Sequence, residues 1–196
     1  MAGNNIFCLE GDWSGNLKKP NSVRPILELL SRTEPYAPKH IYRGLGTVEE
    51  FEYYLREWRK KQYRDYPILY LAFHGDCGEL CVEATRGGSI RVSLDDLETL
   101  LQGKCHRRMI HIGACDSAMW HGNRVQTFLR TTGAVALMGY EAQVDWTVST
   151  AFELLLFDCI QEWSMTKHGA NAIKKRMKAH YPDMVRKLGF KVVVRK

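Results

Sequence analysis

No apolar run in this chain approaches the length that a membrane-spanning helix needs, which argues against a helical membrane protein. After the first apolar run there is no glycine-rich phosphate loop with its lysine. That counts against a nucleotide or phosphoryl-transfer enzyme built on a doubly wound sheet. Repeats, linkers and low-complexity segments are also missing, so the 196 residues are expected to form a single domain, 1–196, large enough to bury its own core. The opening residues lack a basic lead, and their apolar run is too short for a secretory signal, so a cytosolic (cytoplasmic) protein is expected. Six cysteines (Cys8, Cys77, Cys81, Cys105, Cys115 and Cys159) are scattered without the spacing of a disulfide framework. In that compartment they are expected to be free thiols. The net charge of +6 comes largely from Arg59 to Lys61 and from Lys174 to Lys196. No aromatic residues interleave with the late basic run as a stacking platform would require, so the expectation is a solvated helix face and no nucleic-acid partner.

What is present alternates between strand and helix patterns. Asn4 to Glu10 reads as a first strand ending in the turn residues Gly11 to Gly15. Ser22 can cap a helix with Pro25 in its first turn, burying Ile26, Leu27, Leu29 and Leu30. A brief strand follows at His40 to Arg43. Thr47 opens a capping-box pattern, with Val48, Phe51, Leu55 and Trp58 at helical spacing. Pro67 to Phe73 is the third strand, and Glu79 to Val82 with Gly88 to Val92 reads as a small hairpin. Ser93 caps a third helix carrying Leu94, Leu97 and Leu101. A fourth strand, Arg108 to Ile112, leads to Cys115 and a helix of roughly Ala118 to Arg130, which Gly133 ends. Ala134 to Met138 is the fifth apolar strand. A long helix from about Thr147 to Trp163, a basic helix at about Asn171 to His180 and a strand at Phe190 to Val194 complete the chain. This alternation predicts an α/β fold with three layers, a mainly parallel sheet with helices on both faces.

In such a sheet the working crevice lies beyond the carboxyl ends of the strands. The third strand delivers His74-Gly75 to that rim, and the fourth delivers Gly113-Ala114-Cys115-Asp116-Ser117. A neutral thiol is a weak nucleophile for amide cleavage, and an imidazole beside it can take its proton and return it to the leaving amine. Cys115 and His74 are therefore the candidate catalytic dyad. Backbone N–H groups of Gly75 and Cys115 are the candidate oxyanion donors, and a glycine after the histidine leaves room for the substrate carbonyl.

With the His-Gly closing one central strand and a small-Ala-Cys closing the next about forty residues later, the chain resembles the caspase-like cysteine peptidases. That group contains caspases, metacaspases, separases and CHAT-domain peptidases. Asp145-Trp146 ahead of a long helix is similar to the CHAT and separase pattern. The resemblance covers about Asn4 to Trp163. It implies a caspase-like (caspase-hemoglobinase) fold and a cysteine endopeptidase, a hydrolase and thiol protease, acting on a protein substrate without a cofactor. By analogy it implies a prokaryotic stress or antiviral defence role. The chain departs from the caspases where Gly113 stands in place of their Gln. It also has no long acidic linker after the nucleophile's helix and no fused repeat domain, so any sensor or regulator is expected to be a separate protein.

Asp12, Asp145 and Asp116 are the candidate substrate-binding carboxylates, and one of them could hold a basic residue before the scissile bond through a charge-assisted pair. Each has a structural alternative. Asp12 could be a turn residue, Asp145 a helix cap, and Asp116 could orient its loop. His74, Cys77, Cys81, Cys105 and His106 offer nitrogen and sulfur ligands, but their spacing fits no common zinc finger or ribbon, and no metal is expected. Cys8 and Cys159 read as core packing, and His111 and His121 as structural. The rival from another class is a catalytically silent caspase-like module that binds a partner through the same crevice. The relative reactivity of Cys115 separates the two. The oligomeric state is left open.

Overall fold

The computed structural model describes residues 3–13, 16, 18, 21–76, 78–85, 88–115 and 123–196, with the backbone alone for 83–85 and 88. Among them no helix is long and apolar enough to cross a membrane. The elements run β1 (Ile6–Glu10), α1 (Arg24–Leu30), β2 (His40–Gly44), α2 (Val48–Trp58), a 3₁₀ turn (Lys61–Tyr63), β3 (Ile68–Ala72), β4 (His74–Asp76), β5 (Glu79–Thr85), β6 (Gly88–Val92), α3 (Leu94–Leu101), β7 (Met109–Ile112), α4 (Arg124–Thr132), β8 (Ala136–Tyr140), α5 (Trp146–Gln161), α6 (Lys167–His180), α7 (Pro182–Lys187) and β9 (Phe190–Val194). Six strands form one sheet in the order β2-β1-β3-β7-β8-β9, parallel except for β9, which runs antiparallel to β8. The expected α/β fold with its mainly parallel sheet is therefore the observed one.

The sheet is parallel because its central strands can be buried on both sides. Every residue of β1, β3, β7 and β8 is buried. Their side chains alternate between two cores. Ile6, Cys8, Ile68, Tyr70 and Met138 meet α1, α5 and α6 on one face. Phe7, Leu9, Leu69, Leu71, Ile110 and Leu137 meet α2, α3 and α4 on the other. The buried thiols Cys8, Cys105 and Cys159 belong to this packing.

Caps set where the helices begin. Thr47 accepts from the Glu50 N–H at 3.2 Å, while the Glu50 side chain reaches Gly46 N at 2.9 Å. Ser93 and Asp96 form a reciprocal capping box. Gly133 closes α4 with φ of +81°, the left-handed geometry expected of a helix stop. Three expectations are corrected. The N-cap of α1 is Val23 rather than Ser22, whose Oγ instead accepts from Arg24 N at 3.1 Å. Leu29 is 53% exposed because it lies opposite the stripe formed by Ile26, Leu27 and Leu30. His74 does not simply follow β3: it begins β4, which pairs antiparallel with β5 in a separate three-stranded sheet. The α7 helix was not expected, and residues 116–122, with His121 and the start of the helix expected from about Ala118, lie outside the described residues. The shared register of β1, β3 and β7, with Glu10 opposite Ala72 and Leu71 opposite Ile112, brings Gly11, Phe73 and Gly113 to one rim.

Candidate active site

Two chain crossings meet at this rim. Phe73 leaves β3 buried and hands the chain to His74, which is exposed and paired with Cys81 across β4 and β5. Gly113 leaves β7, its N–H bonded to Leu71 O at 2.8 Å, and carries the chain to the half-buried Cys115. The crossings touch through Gly75. A Cβ at that position would collide with the carbonyl oxygen of Cys115 and lie 3.0 Å from the Ala114 methyl. The Cys115 sulfur faces the loop before α5, where Val144 N donates to it at 3.4 Å. His74 and Cys115 line one cleft of about 100 Å³.

The imidazole has a defined tautomer. Nε2 of His74 lies 2.6 Å from the backbone carbonyl oxygen of Trp13. A carbonyl can only accept, so Nε2 carries the proton and Nδ1 is left with a lone pair that can take a proton from a thiol. The Trp13 indole also packs edge-on against the His74 ring at 5.1 Å and against Trp146 at 4.6 Å.

Glu10 holds Trp13. This carboxylate, at the end of β1, is buried, and it accepts from the Trp13 indole, from Ser22 Oγ at 2.6 Å, from Tyr42 OH at 2.6 Å and from Val23 N at 2.8 Å. Four donors compensate the burial of one charge. Burial and the bond to Glu10 push the Tyr42 phenol up to about 12.

A second carboxylate lines the cleft of His74 and Cys115. This is Glu153, in the middle of α5 and 3% exposed. It accepts from Tyr70 OH, from Tyr140 OH at 3.2 Å and from His111 Nε2 at 3.1 Å. Burial and the nearby Glu153 charge push both phenols well above their ordinary range. Gly113 makes room for this arrangement, since a Cβ there would lie 2.5 Å from Glu153 Oε1 and 2.7 Å from the Tyr70 ring. Trp13 and Trp146 wall the cleft above it.

His74, Gly75 and Cys115 are thus neighbours. Neither Asp12 nor Asp145 lines the cleft that His74 and Cys115 share. Asp12 is exposed and borders a separate hollow of about 350 Å³ that it shares with His74 and Cys81. Asp145 is the N-cap of α5, its Oδ1 accepting from Val148 N at 3.0 Å. Asp116 lies outside the described residues. His111 is fully buried and bonded to Glu153, in line with the structural role expected for it. Cys77, one of the conceivable zinc ligands, is outside the described residues, and no group of three potential ligands comes together among those described.

The sequence reading missed Glu10, Trp13 and Glu153. One signal was available: Glu153 is a carboxylate inside the apolar run Phe152 to Phe157 of a helix expected to be buried, and such a group requires partners.

One family model matches residues 3–193, and it carries the description "Family of unknown function (DUF6642)". No curated protein matches the chain. Among solved structures, caspase-1 from Spodoptera frugiperda is similar over 82% of this chain and 78% of its own, with 14% identity and a TM-score of 0.46.

Proposed function

We propose that the chain, which belongs to the family of unknown function DUF6642, is a cysteine endopeptidase with Cys115 as nucleophile and His74 as base and acid. The observation that carries this reading is the tautomer imposed on His74 by the Trp13 carbonyl, in a cleft shared with Cys115. Nδ1 of His74 takes the thiol proton as the sulfur attacks the scissile carbonyl carbon. The oxygen that becomes negative is received by the backbone N–H groups of Gly75 and Cys115. The imidazolium then gives its proton to the leaving amine as the C–N bond breaks. Water, deprotonated by the same nitrogen, hydrolyses the thioester and restores the thiol.

The substrate residue before the cut is basic. Glu153 and the walls of Trp13 and Trp146 support this preference, because a carboxylate floor under aromatic faces suits a cation. Asp12, across His74, is a second carboxylate that an extended substrate would meet. Asp145 keeps its capping role, and Asp116, next to the nucleophile, remains a third candidate. The stress or antiviral setting and a separate sensor protein belong to the proposal by family analogy alone.

The test is covalent labelling with an electrophilic peptide ending in Arg, located by mass spectrometry in the wild type and in His74→Ala. Adduct confined to Cys115 and lost in the variant is the expected result. Equal, slow labelling of several cysteines would overturn the reading in favour of a catalytically silent binding module.

A further inference from the structure

The opposite pole of the sheet carries a hollow that the peptidase reading does not use. It measures about 660 Å³ and lies at the amino ends of β1, β3 and β7, between the turn after α2 and the loop before β7. Its lining includes Arg59, Lys61, Arg64, Lys104, Arg107 and Arg108, against a single acid, Asp65.

Part of this charge has a structural reason. Helix carboxyl ends present unpaired carbonyls, which cations satisfy. Arg59 donates to Leu100 O near the end of α3 at 2.5 Å. Arg108 is buried, donates to Trp58 O at 2.6 Å and to Tyr63 O at 3.3 Å, and stacks on the Trp58 ring at 4.2 Å. The same account does not reach the other four. Lys61, Arg64, Lys104 and Arg107 are all exposed, and none has an ion pair among the described residues. Arg107 is moreover held at φ of +57°, a left-handed conformation uncommon for a side-chain-bearing residue. Like charges gathered around one concavity repel one another and oppose folding unless a counter-charge enters.

We infer that this hollow binds a small molecule carrying two or more phosphate groups, with Lys61, Arg64, Lys104 and Arg107 as its cationic contacts. Its volume falls in the range of small-ligand sites. No Phe, Tyr or Trp side chain lines the hollow among the described residues, which favours a polyanion held by charge over a strand of nucleic acid, which would need stacking platforms. Asn4 and Ser164, at the hollow's edge, precede β1 and α6 and so tie it to two core segments. The inference stands independently of the peptidase reading, since it shares no residue with that site.

The test is titration calorimetry of the full chain with inorganic tripolyphosphate and, separately, with ATP at physiological salt. Saturable binding is expected for at least one of them. Binding should weaken roughly tenfold for each cation lost in Lys61→Gln, Lys104→Gln and Arg107→Gly. Arg107→Gly also controls for folding: glycine prefers this φ, so its melting temperature should hold or rise while binding falls. The inference is overturned if neither polyanion binds, or if the variants bind as well as the wild type. It is equally overturned if an RNA single strand of about 20 nucleotides binds and tripolyphosphate does not displace it.

Discussion

Residue 75 has no side chain, and the carbonyl oxygen of Cys115 occupies the place where its Cβ would be. The two glycine-bearing rim segments are therefore locked together by the absence of a methyl group. Gly75→Ala must push the Cys115 carbonyl or the β4 backbone aside, and the Ala114 methyl at 3.0 Å closes the alternative direction. We expect this substitution to lower stability by about 1–3 kcal/mol, as overpacking does. If Cys115 is the nucleophile proposed above, its displacement should slow its labelling about a hundredfold. Urea denaturation and the rate of adduct formation check the two parts separately.

Trp13 acts on His74 twice, through its carbonyl and its ring, and Glu10 anchors that ring. Glu10→Ala leaves Tyr42 and Ser22 without their acceptor and frees the indole, so it should destabilise the fold by about 3 kcal/mol and also slow the reaction. Trp13→Phe is the more selective probe. It retains the carbonyl and most of the ring contact but loses the indole donor, and it is expected to reduce the rate of Cys115 acylation about tenfold with little change in melting temperature. A Trp13→Phe protein that reacts at the wild-type rate would limit the role of Trp13 to its carbonyl.

The layered fold could be read from the sequence because both faces of the sheet are apolar. Runs such as Ile68–Ala72 and Met109–Ile112 are buried throughout, so they appear as uninterrupted hydrophobic stretches. The capping signals at Thr47, Ser93 and Asp145 were legible for the same local reason. β4 was not, since His74-Gly75-Asp76 has no apolar pattern and is a strand only because β5 pairs with it. α7 escaped notice because none of its six residues is buried. The candidate pair, His74 and Cys115, was visible at its strand ends. The residues supporting them were not, because Glu10, Trp13 and Glu153 act through long-range contacts that no spacing encodes.

Arg108 joins α2 to the start of β7 by bonding the Trp58 and Tyr63 carbonyls while its guanidinium lies over the Trp58 ring. Arg108→Met keeps a stem of similar length on the indole but leaves two carbonyls without their donor. A loss of about 2–4 kcal/mol is expected in urea denaturation. Arg108→Lys should cost less, about 1–2 kcal/mol, because one ammonium can serve only part of the planar fork's geometry.

Several buried acids remain protonated far above their ordinary range. Burial raises the Cys159 thiol to about 11 and the Cys105 thiol to about 12, and it also holds Cys8, Tyr70 and Tyr140 well above their ordinary values. In the unfolded chain these groups lose protons from 9.0 for thiols and 10.0 for phenols. The folded state then binds more protons than the unfolded one, so stability falls as pH rises. The contribution of these groups should be constant up to about pH 9 and then decline by up to about 1.4 kcal/mol per pH unit for each titrating group. Urea midpoints measured under reducing conditions between about pH 8 and pH 11 check the sign, and a Cys159→Ala variant should show a shallower first part of the decline.

Glu153 gives the sharpest separation of structure from specificity. Glu153→Leu removes the acceptor of Tyr70, Tyr140 and His111 together, and about 3–5 kcal/mol of stability should go with it. That variant alone would not reveal a binding role. Glu153→Gln keeps the shape and one carbonyl acceptor for His111 and Tyr140, while the Tyr70 hydroxyl can turn to accept from the new amide. Its fold should survive with a loss of about 1–2 kcal/mol. What disappears is the charge beneath the cleft that Cys115 and His74 share. The rate at which Cys115 reacts with an Arg-ended electrophilic peptide should then fall about tenfold or more relative to a Leu-ended one, because a charge-assisted pair is lost for the first and nothing for the second. If the ratio of the two rates is unchanged in Glu153→Gln, this carboxylate serves only to join α5 to the strands, and the proposed basic preference rests on Asp12 or Asp116 or falls.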